Sequence, residues 1–176
     1  ITGSGDNGRG LAADIDASHP GCEVWSAATP MYDCKGAKIS DTKPSTNFAL
    51  WWDGDLQREL LDGNHIDKWV SGASKRVLTA SECVSNNGTK STPCLSADLF
   101  GDWREEVVWA TSDSSALHIY TTTDPTSVRL YTLMHDSTYR TSVAWQNTAY
   151  NQPPMPGFYL GGGMASAPTP KIYYAP

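Results

Sequence analysis

The feature that most constrains the fold is a short acidic pattern that occurs three times. In each copy a turn rich in aspartate follows an apolar residue, and a glutamate stands just before or at the start of an apolar strand. The copies span Ala13–Glu23, Trp51–Glu59 and Ala97–Glu106. They recur about every 40 residues, which is the repeat length of β-propeller blades. The pattern therefore predicts an all-β chain.

Further strands are predicted between and after these copies, in segments that are bounded by turn residues. Fifteen glycines and eleven prolines suit many short strands better than long helices. We predict one domain over residues 1–176 with about four blades, and with blade-like repeats that start near residues 12, 51 and 97. Four blades do not close a ring unaided, so we expect a further portion of the propeller outside this chain. The predicted additional strands are Arg76–Ala80, Leu117–Thr121, Arg129–Leu133, Thr141–Trp145 and Gly157–Leu160, and the single candidate for a helical turn is Leu56–Asp62.

The charge and hydropathy patterns exclude two classes of partner. A net charge of −6 is the wrong sign for a nucleic-acid surface, which needs an excess of lysine and arginine. No apolar run approaches the roughly 20 residues that a membrane helix needs. We expect neither nucleic acid nor membrane as a partner.

Each acidic copy can supply oxygen ligands for calcium, because two aspartates across a turn and a nearby glutamate form part of an oxygen cage. The alternative is that the aspartates only cap turns through backbone amides. None of the copies has the complete spacing of an EF-hand loop. The predicted ligands are Asp14, Asp16 and Glu23 in the first copy, Asp53, Asp55 and Glu59 in the second, and Asp98, Asp102 and Glu106 in the third.

The four cysteines lack the spacing of a zinc site. We predict two local disulfides, Cys22–Cys34 and Cys83–Cys94, although the other two connectivities remain open. Disulfides predict an oxidising, extracellular compartment.

Two polar loops have the composition of a sugar-binding site. The first, Cys83–Cys94, carries amides, a hydroxyl and Lys90, and its Asn-Asn-Gly run tolerates left-handed backbone. The second, Gln146–Pro154, places amides on both sides of Tyr150. Aromatic faces and amide edges suit the C–H faces and hydroxyl edges of sugars. The alternatives are a solvated hairpin turn and a packed linker in which Tyr150 covers the core.

Four long runs of the sequence resemble rhamnogalacturonan lyases of polysaccharide lyase family 11. They are Ser85–Pro93, Ala97–Val107, Tyr131–Asp136 and Ala144–Pro154, and the segment Gly8–Asp16 fits the same family.

The resemblance covers the C-terminal part of that family's catalytic domain. It implies an eight-bladed β-propeller that binds calcium, is secreted and degrades the acidic polysaccharide rhamnogalacturonan I. It also implies that the N-terminal part of the propeller is a partner of this chain. Carried over by position, the substrate-contacting residues are Asn87, Gly88, Thr89, Lys90 and Tyr150, and Arg9 matches a functional position.

The implied reaction is an internal β-elimination at galacturonate, which removes the proton on C5 next to the carboxylate. Calcium, Arg9 and Lys90 would neutralise that carboxylate. Lys90 is the candidate base, since arginine is too weakly acidic to lose its proton. Tyr150 would orient the sugar or protonate the leaving oxygen. Two alternatives are a non-catalytic, calcium-stabilised carbohydrate-binding β-module and a structural or adhesive calcium repeat.

Overall fold

The computed structural model describes residues 5–148 and 151–174, and its core consists of antiparallel β-sheet. The described residues form three four-stranded sheets. Sheet 1 contains β1 (Gly10–Ala13), β2 (Glu23–Ser26), β3 (Met31–Tyr32) and β4 (Lys38–Ser40). Sheet 2 contains β5 (Phe48–Leu50), β6 (Glu59–Asp62), β7 (His65–Val70) and β8 (Ala73–Thr79). Sheet 3 contains β9 (Cys83–Val84), β10 (Leu95–Ala97), β11 (Glu106–Thr111) and β12 (Leu117–Tyr120).

In sheets 1 and 2 each strand pairs with the next one along the chain. In sheet 3 two short strands, β9 and β10, share one edge of β11. β9 pairs with the end of β11 at Ala110 and Thr111, and β10 pairs with its beginning at residues 106–108. β12 takes the other edge of β11. β9 and β10 therefore lie end to end along one edge, and residues 85–94 leave the sheet between them as a loop.

Sheet 2 is the middle layer because its central strand is buried on both faces. Leu60 and Trp69 pack with Trp25 of sheet 1. The neighbouring Leu61 points the opposite way and packs with Trp109 of sheet 3. This alternation follows from the two-residue period of a strand, and it explains why β6 is apolar at consecutive positions.

The segment after β12 differs from the sequence-based prediction. Arg129–Leu133 and Gly157–Leu160 form no strands, and the described residues contain three sheets rather than about four. The predicted strand Thr141–Trp145 is part of the helix α1 (Ser137–Trp145), which follows a 3₁₀ turn at Leu133–His135. The candidate helical turn is also wrong, because Glu59–Asp62 is β6.

Helix α1 was missed because its buried face is polar. Asp136 caps the helix by accepting a hydrogen bond from Tyr139 N at 2.8 Å. Tyr139, Ser142 and Gln146 are buried at helical spacing. A search for apolar periodicity does not detect such a face. None of the described helices is long and apolar enough to cross a membrane.

The predicted disulfides are wrong: all four thiols are free in the structure. The thiol of Cys83 is buried and lies 3.7 Å from both His118 Nδ1 and Tyr120 Oη. Cys94 instead contacts Asn86, and Cys34 Sγ lies 3.1 Å from the carbonyl oxygen of Pro20. The loop between Cys83 and Cys94 is therefore held by other means.

A buried polar network ties helix α1 to the sheets, and it leads to a stability prediction. Tyr139 Oη donates to Glu105 Oε1 at 2.6 Å and accepts from Asp98 N at 2.9 Å. Replacing Tyr139 by Phe leaves both partners without that bond. We expect a loss of about 1–3 kcal/mol of unfolding free energy, measured by denaturant titration. Tyr131→Phe, at an exposed position, is the control and should change stability by under about 0.5 kcal/mol; an equal effect of both changes would contradict the prediction.

Candidate active site

The loop of residues 85–94 is shaped by hydrogen bonds from Asn87. Its side-chain Oδ1 accepts from Lys90 N at 2.6 Å, and its carbonyl oxygen accepts from Ser91 N at 3.0 Å. Asn86 N donates to Thr92 O at 2.7 Å and closes the base of the loop. The left-handed residue is Ser91, with φ of 52°, rather than one of the Asn-Asn-Gly run. Asn87, predicted to contact substrate, thus also builds the loop that would bind it.

The other predicted contacts differ in exposure. Gly88 and Thr89 lie exposed at the tip of the loop, and Lys90 is half-buried just beyond them. The main chain of Lys90 is held on both sides, since its N–H bonds to Asn87 and its carbonyl accepts from Arg9. The side chain of Lys90 is therefore carried on a fixed stretch of backbone.

Arg9 joins the two predicted loops. Its Nη1 donates to Lys90 O at 3.1 Å in the first loop, and its Nη2 donates to Asn151 O in the second. The planar guanidinium suits this role because its donors point in fixed, divergent directions. The sequence placed these segments 81 and 142 residues from Arg9, and the structure brings them together.

A carboxylate at the end of β6 supports Arg9 from behind. Arg9 Nη1 lies 3.4 Å from Asn47 Oδ1, and Asn47 Nδ2 donates to Asp62 Oδ1 at 2.7 Å. Ser45 Oγ donates to the other carboxylate oxygen of Asp62 at 2.8 Å. Burial lowers the pKa of Arg9, and the charge of Asp62 opposes that shift. An arginine stays protonated across the physiological range, so the site keeps a fixed positive charge.

The two loops also bond directly to each other. Thr92 is fully buried, and its Oγ1 accepts from Asn151 Nδ2 at 3.1 Å and from Asn87 Nδ2 at 3.3 Å. Asn147 Nδ2 donates to Cys94 O. Tyr150, the remaining predicted site residue, lies outside the described residues. Thr92, Asn151, Asn47 and Asp62 were not singled out from the sequence, because their partners are distant along the chain.

Comparison with known proteins identifies the family. Residues 1–170 match the family described as rhamnogalacturonan lyase family 11, C-terminal domain. This chain belongs to that family. It is 63% identical over 171 residues to rhamnogalacturonan endolyase YesW of Bacillus subtilis strain 168, covering 96% of this chain and 27% of the relative. It is 53% identical over 189 residues to rhamnogalacturonan exolyase YesX of the same organism, covering 97% of this chain and 31% of the relative.

A solved structure, that of a Bacillus licheniformis rhamnogalacturonan lyase, is similar at 58% identity with a TM-score of 0.95. The similarity covers 99% of this chain and 30% of that one. This family 11 domain therefore spans less than a third of the relatives that it matches.

The three acidic turns of this family 11 domain share one hydrogen-bond arrangement. In each turn one glutamate oxygen, Oε2, accepts from two successive backbone N–H groups. Glu23 accepts from Ile15 and Asp16, Glu59 from Trp52 and Asp53, and Glu106 from Leu99 and Phe100, at 2.8–3.3 Å. In all three the glutamate lies across the sheet from the residue that ends the preceding strand. The three copies of the sequence pattern therefore share the same local hydrogen bonds.

The first turn holds a buried carboxylate oxygen without a partner. Glu23 is fully buried, and its Oε1 forms no hydrogen bond. Burial raises the pKa of Glu23 to about 7. Asp14 is already engaged, because Tyr159 Oη and Gly162 N donate to it. Asp16 accepts from Ser18 N at 3.0 Å in a local turn.

In the second turn, acidic oxygens converge more closely. Asp53, Asp55 and Glu59 each bring one oxygen within 4.8 Å of the others, and no other described group of three metal-ligand side chains does so. The ammonium group of Lys68 lies among all three carboxylates.

In the third turn each carboxylate already has a partner elsewhere in the protein or in the turn. Asp98 is buried and accepts from Thr132 Oγ1 and Leu133 N, both at 2.7 Å. Asp102 pairs with Arg104. Glu106 Oε1 accepts from Thr121 Oγ1 at 3.0 Å. Calcium binding by Asp98, Asp102 and Glu106 stays a prediction.

Proposed function

We propose that the protein containing this chain is a rhamnogalacturonan lyase that cleaves the rhamnose–galacturonate linkage by β-elimination. The observation that carries the proposal is the contact of Arg9 with both polar loops, through the main-chain carbonyls of Lys90 and Asn151, because it supports a common site for the guanidinium and the loop that carries Lys90. Both relatives named above are rhamnogalacturonan lyases.

The chemistry requires positive charge near the galacturonate carboxylate. The proton on C5 is weakly acidic while that carboxylate stays charged, and fixed cations stabilise the electron density that develops as the proton leaves. Arg9 provides such a charge. The neutral amine of Lys90, on a backbone held by Asn87 and Arg9, would take the C5 proton and become an ammonium. The electron pair left on C5 forms the new double bond to the neighbouring ring carbon, the bond from that carbon to the rhamnose oxygen breaks, and Tyr150 would protonate that oxygen.

We propose internal rather than terminal cleavage. Identity is higher to the endolyase than to the exolyase, at 63% against 53%. A test is the size distribution of early products: internal cleavage shortens the polymer before small fragments accumulate, and terminal cleavage releases small fragments from the start.

The remaining part of the protein would complete the fold at two open faces. Val24 on the outer face of sheet 1 is 46% exposed, and Leu117 and Ile119 on the outer face of sheet 3 are 63% and 55% exposed. Apolar sheet faces at both ends of a stack are expected where further sheets pack on either side. Further blades of an eight-bladed propeller, from the N-terminal part of the protein, would cover both faces.

We propose a secreted, extracellular location. Because the cysteines are free, disulfides no longer support this location. The remaining support is the proposed substrate, which is a polysaccharide.

We propose calcium binding at the first turn. The buried Glu23 Oε1 forms no hydrogen bond and could therefore serve as an oxygen ligand for a cation. Asp16 lies in the same turn. Asp33 lies across from Glu23, one position beyond the pair Val24–Tyr32. When bound, calcium would neutralise these carboxylates.

A single substitution tests this site. Glu23→Gln keeps the size and the hydrogen-bond acceptor of the side chain but removes its charge. We expect the complete protein to bind one calcium ion fewer, measured by equilibrium dialysis. Asp102→Asn in the third turn is the control and should leave the count unchanged. An unchanged count for Glu23→Gln would contradict the proposed site.

The second candidate function is a carbohydrate-binding module without catalysis. It is favoured by the way in which Asn87 and Arg9 serve the structure of the loops themselves. The complete protein incubated with rhamnogalacturonan I decides between the two. Ultraviolet absorbance of unsaturated uronate supports the lyase, and binding without that product supports the module.

A further inference from the structure

The three acidic turns differ at one structurally equivalent position. In each sheet the glutamate lies opposite one residue of the neighbouring segment. That residue is either in the next strand or directly after its last residue. The antiparallel register pairs Val24 with Tyr32, Leu60 with Asp67 and Val107 with Tyr120. Continued by one position, it brings Asp33 opposite Glu23, Lys68 opposite Glu59 and Thr121 opposite Glu106. Residues directly opposite each other extend from the same face of a sheet and can interact. This position is therefore negative, positive and neutral in turns one, two and three.

The second glutamate oxygen, Oε1, meets a different partner in each turn as a result. Glu59 Oε1 accepts from Lys68 Nζ at 2.8 Å, and Glu106 Oε1 accepts from Thr121 Oγ1 at 3.0 Å. In the first turn Glu23 Oε1 has no partner. The equivalent oxygen thus bonds to an ammonium group in the second turn, bonds to a hydroxyl group in the third, and has no partner in the first.

The ammonium of Lys68 is fully satisfied by the second turn. Besides Glu59 it donates to Asp53 Oδ2 and, at 2.7 Å, to Asp55 Oδ2. An ammonium group has three N–H donors, and here each has its own carboxylate. Glu59 is fully buried, and the side chains of Lys68 and Asp53 are 23% and 19% exposed. Strongly paired charges in such partial burial are costly to separate.

Calcium and this ammonium would compete for the same oxygens. Calcium binds oxygen at about 2.3–2.6 Å and takes six or more ligands. The three carboxylates that approach one another most closely in the described residues already surround Lys68. A calcium ion bound to the same carboxylates would lie directly beside the ammonium group of Lys68. Two cations in such close contact repel each other strongly.

We propose that Lys68 is the resident cation of the second turn, in the place where the spacing of the acidic residues predicts calcium, and that this turn binds no calcium. The residues present do not fit the metal, and the disagreement has a single cause, the lysine opposite Glu59. The second turn is therefore stable without calcium. In the first turn Asp33 Oδ1 accepts from Lys35 N and Ala37 N, and Glu23 Oε1 has no partner, so an external cation would take the part that Lys68 has in the second turn. The proposal concerns metal content, so it stands or falls independently of lyase activity.

The test is the calcium content of variants of the complete protein. Lys68→Ala removes the ammonium and leaves three carboxylates around an opening. We expect this variant to bind one more calcium ion than the wild type by equilibrium dialysis. It should also gain more thermal stability from added calcium than the wild type does. Failure to bind the additional ion would overturn the proposal.

Two further variants make the result decisive. Lys75→Ala removes the same charge from the residue that pairs with Lys68 across β7 and β8, and it should leave the calcium count at the wild-type value. Asp55→Asn, in the wild-type background, weakens the second turn as a metal site while its Oδ1 can still accept from Gln57 N. It should release no calcium. If it releases one ion, calcium occupies the second turn despite Lys68 and the proposal is wrong, even where Lys68→Ala does not fold.

Discussion

Replacing Lys90 by Ala in the complete protein should reduce kcat by about 10³-fold, within the range that general-base catalysis contributes. Two contacts that hold the loop use the main chain of Lys90 and remain available in the variant: its N–H bonds to Asn87 and its carbonyl oxygen accepts from Arg9. The measurement is the rate at which unsaturated uronate forms from rhamnogalacturonan I, together with the thermal unfolding temperature.

Lys90→Arg separates the two roles that a lysine can have at this position. Arginine keeps the positive charge, but its pKa is too high for it to act as a base. If Lys90 removes the proton, the Arg variant is as inactive as the Ala variant. If Lys90 only neutralises the carboxylate, the Arg variant retains much of the wild-type rate. Near-normal activity of Lys90→Ala would remove Lys90 from the catalytic machinery altogether.

The repeat of the acidic turns could be predicted from sequence because it depends on local spacing. Each glutamate is at the start of a strand, and the turn before it supplies the two N–H groups that its Oε2 accepts. The partner of the second glutamate oxygen, Oε1, could not be predicted in the same way. Lys68 bonds to it in the second turn and Thr121 in the third, whereas it has no partner in the first. Finding these partners requires the register of the sheet.

The polar loops could be identified from composition, but the way in which they are held could not. Paired cysteines at the ends of a loop suggest a disulfide, whereas Cys83 lies in the core between sheets 2 and 3 and Cys94 contacts Asn86. The loops are instead held by hydrogen bonds from Arg9 to Asn151 and from Asn151 to Thr92. These three residues lie far apart in the chain. A single sequence carries no signal for such long-range hydrogen bonds. Helix α1 could not be predicted for a related reason. Its buried side chains are polar and bond to partners outside the helix.

Replacing Arg9 by Ala should lower kcat/KM by about 10²–10³-fold, the size of effect seen when a fixed donor to developing charge is lost. Two consequences of the structure combine here. The site loses a permanent positive charge, and the loops that carry Lys90 and Asn151 lose the guanidinium that joins them. Arg76→Ala is the matched control, because Arg76 forms an exposed ion pair with Asp67 on sheet 2 and should not affect activity.

Two measurements distinguish the joining role of Arg9 from its charge. Arg9→Lys keeps the charge, but one ammonium cannot reproduce the fixed, divergent donors of a guanidinium toward Lys90 O and Asn151 O, so we expect activity within about tenfold of the Ala variant. Trypsin should also cut faster after Lys90 in both variants, because the carbonyl of that peptide bond is held by Arg9 in the native loop. Full activity of Arg9→Lys with unchanged proteolysis would show that charge alone matters, and the two loops would then need another explanation for their common position.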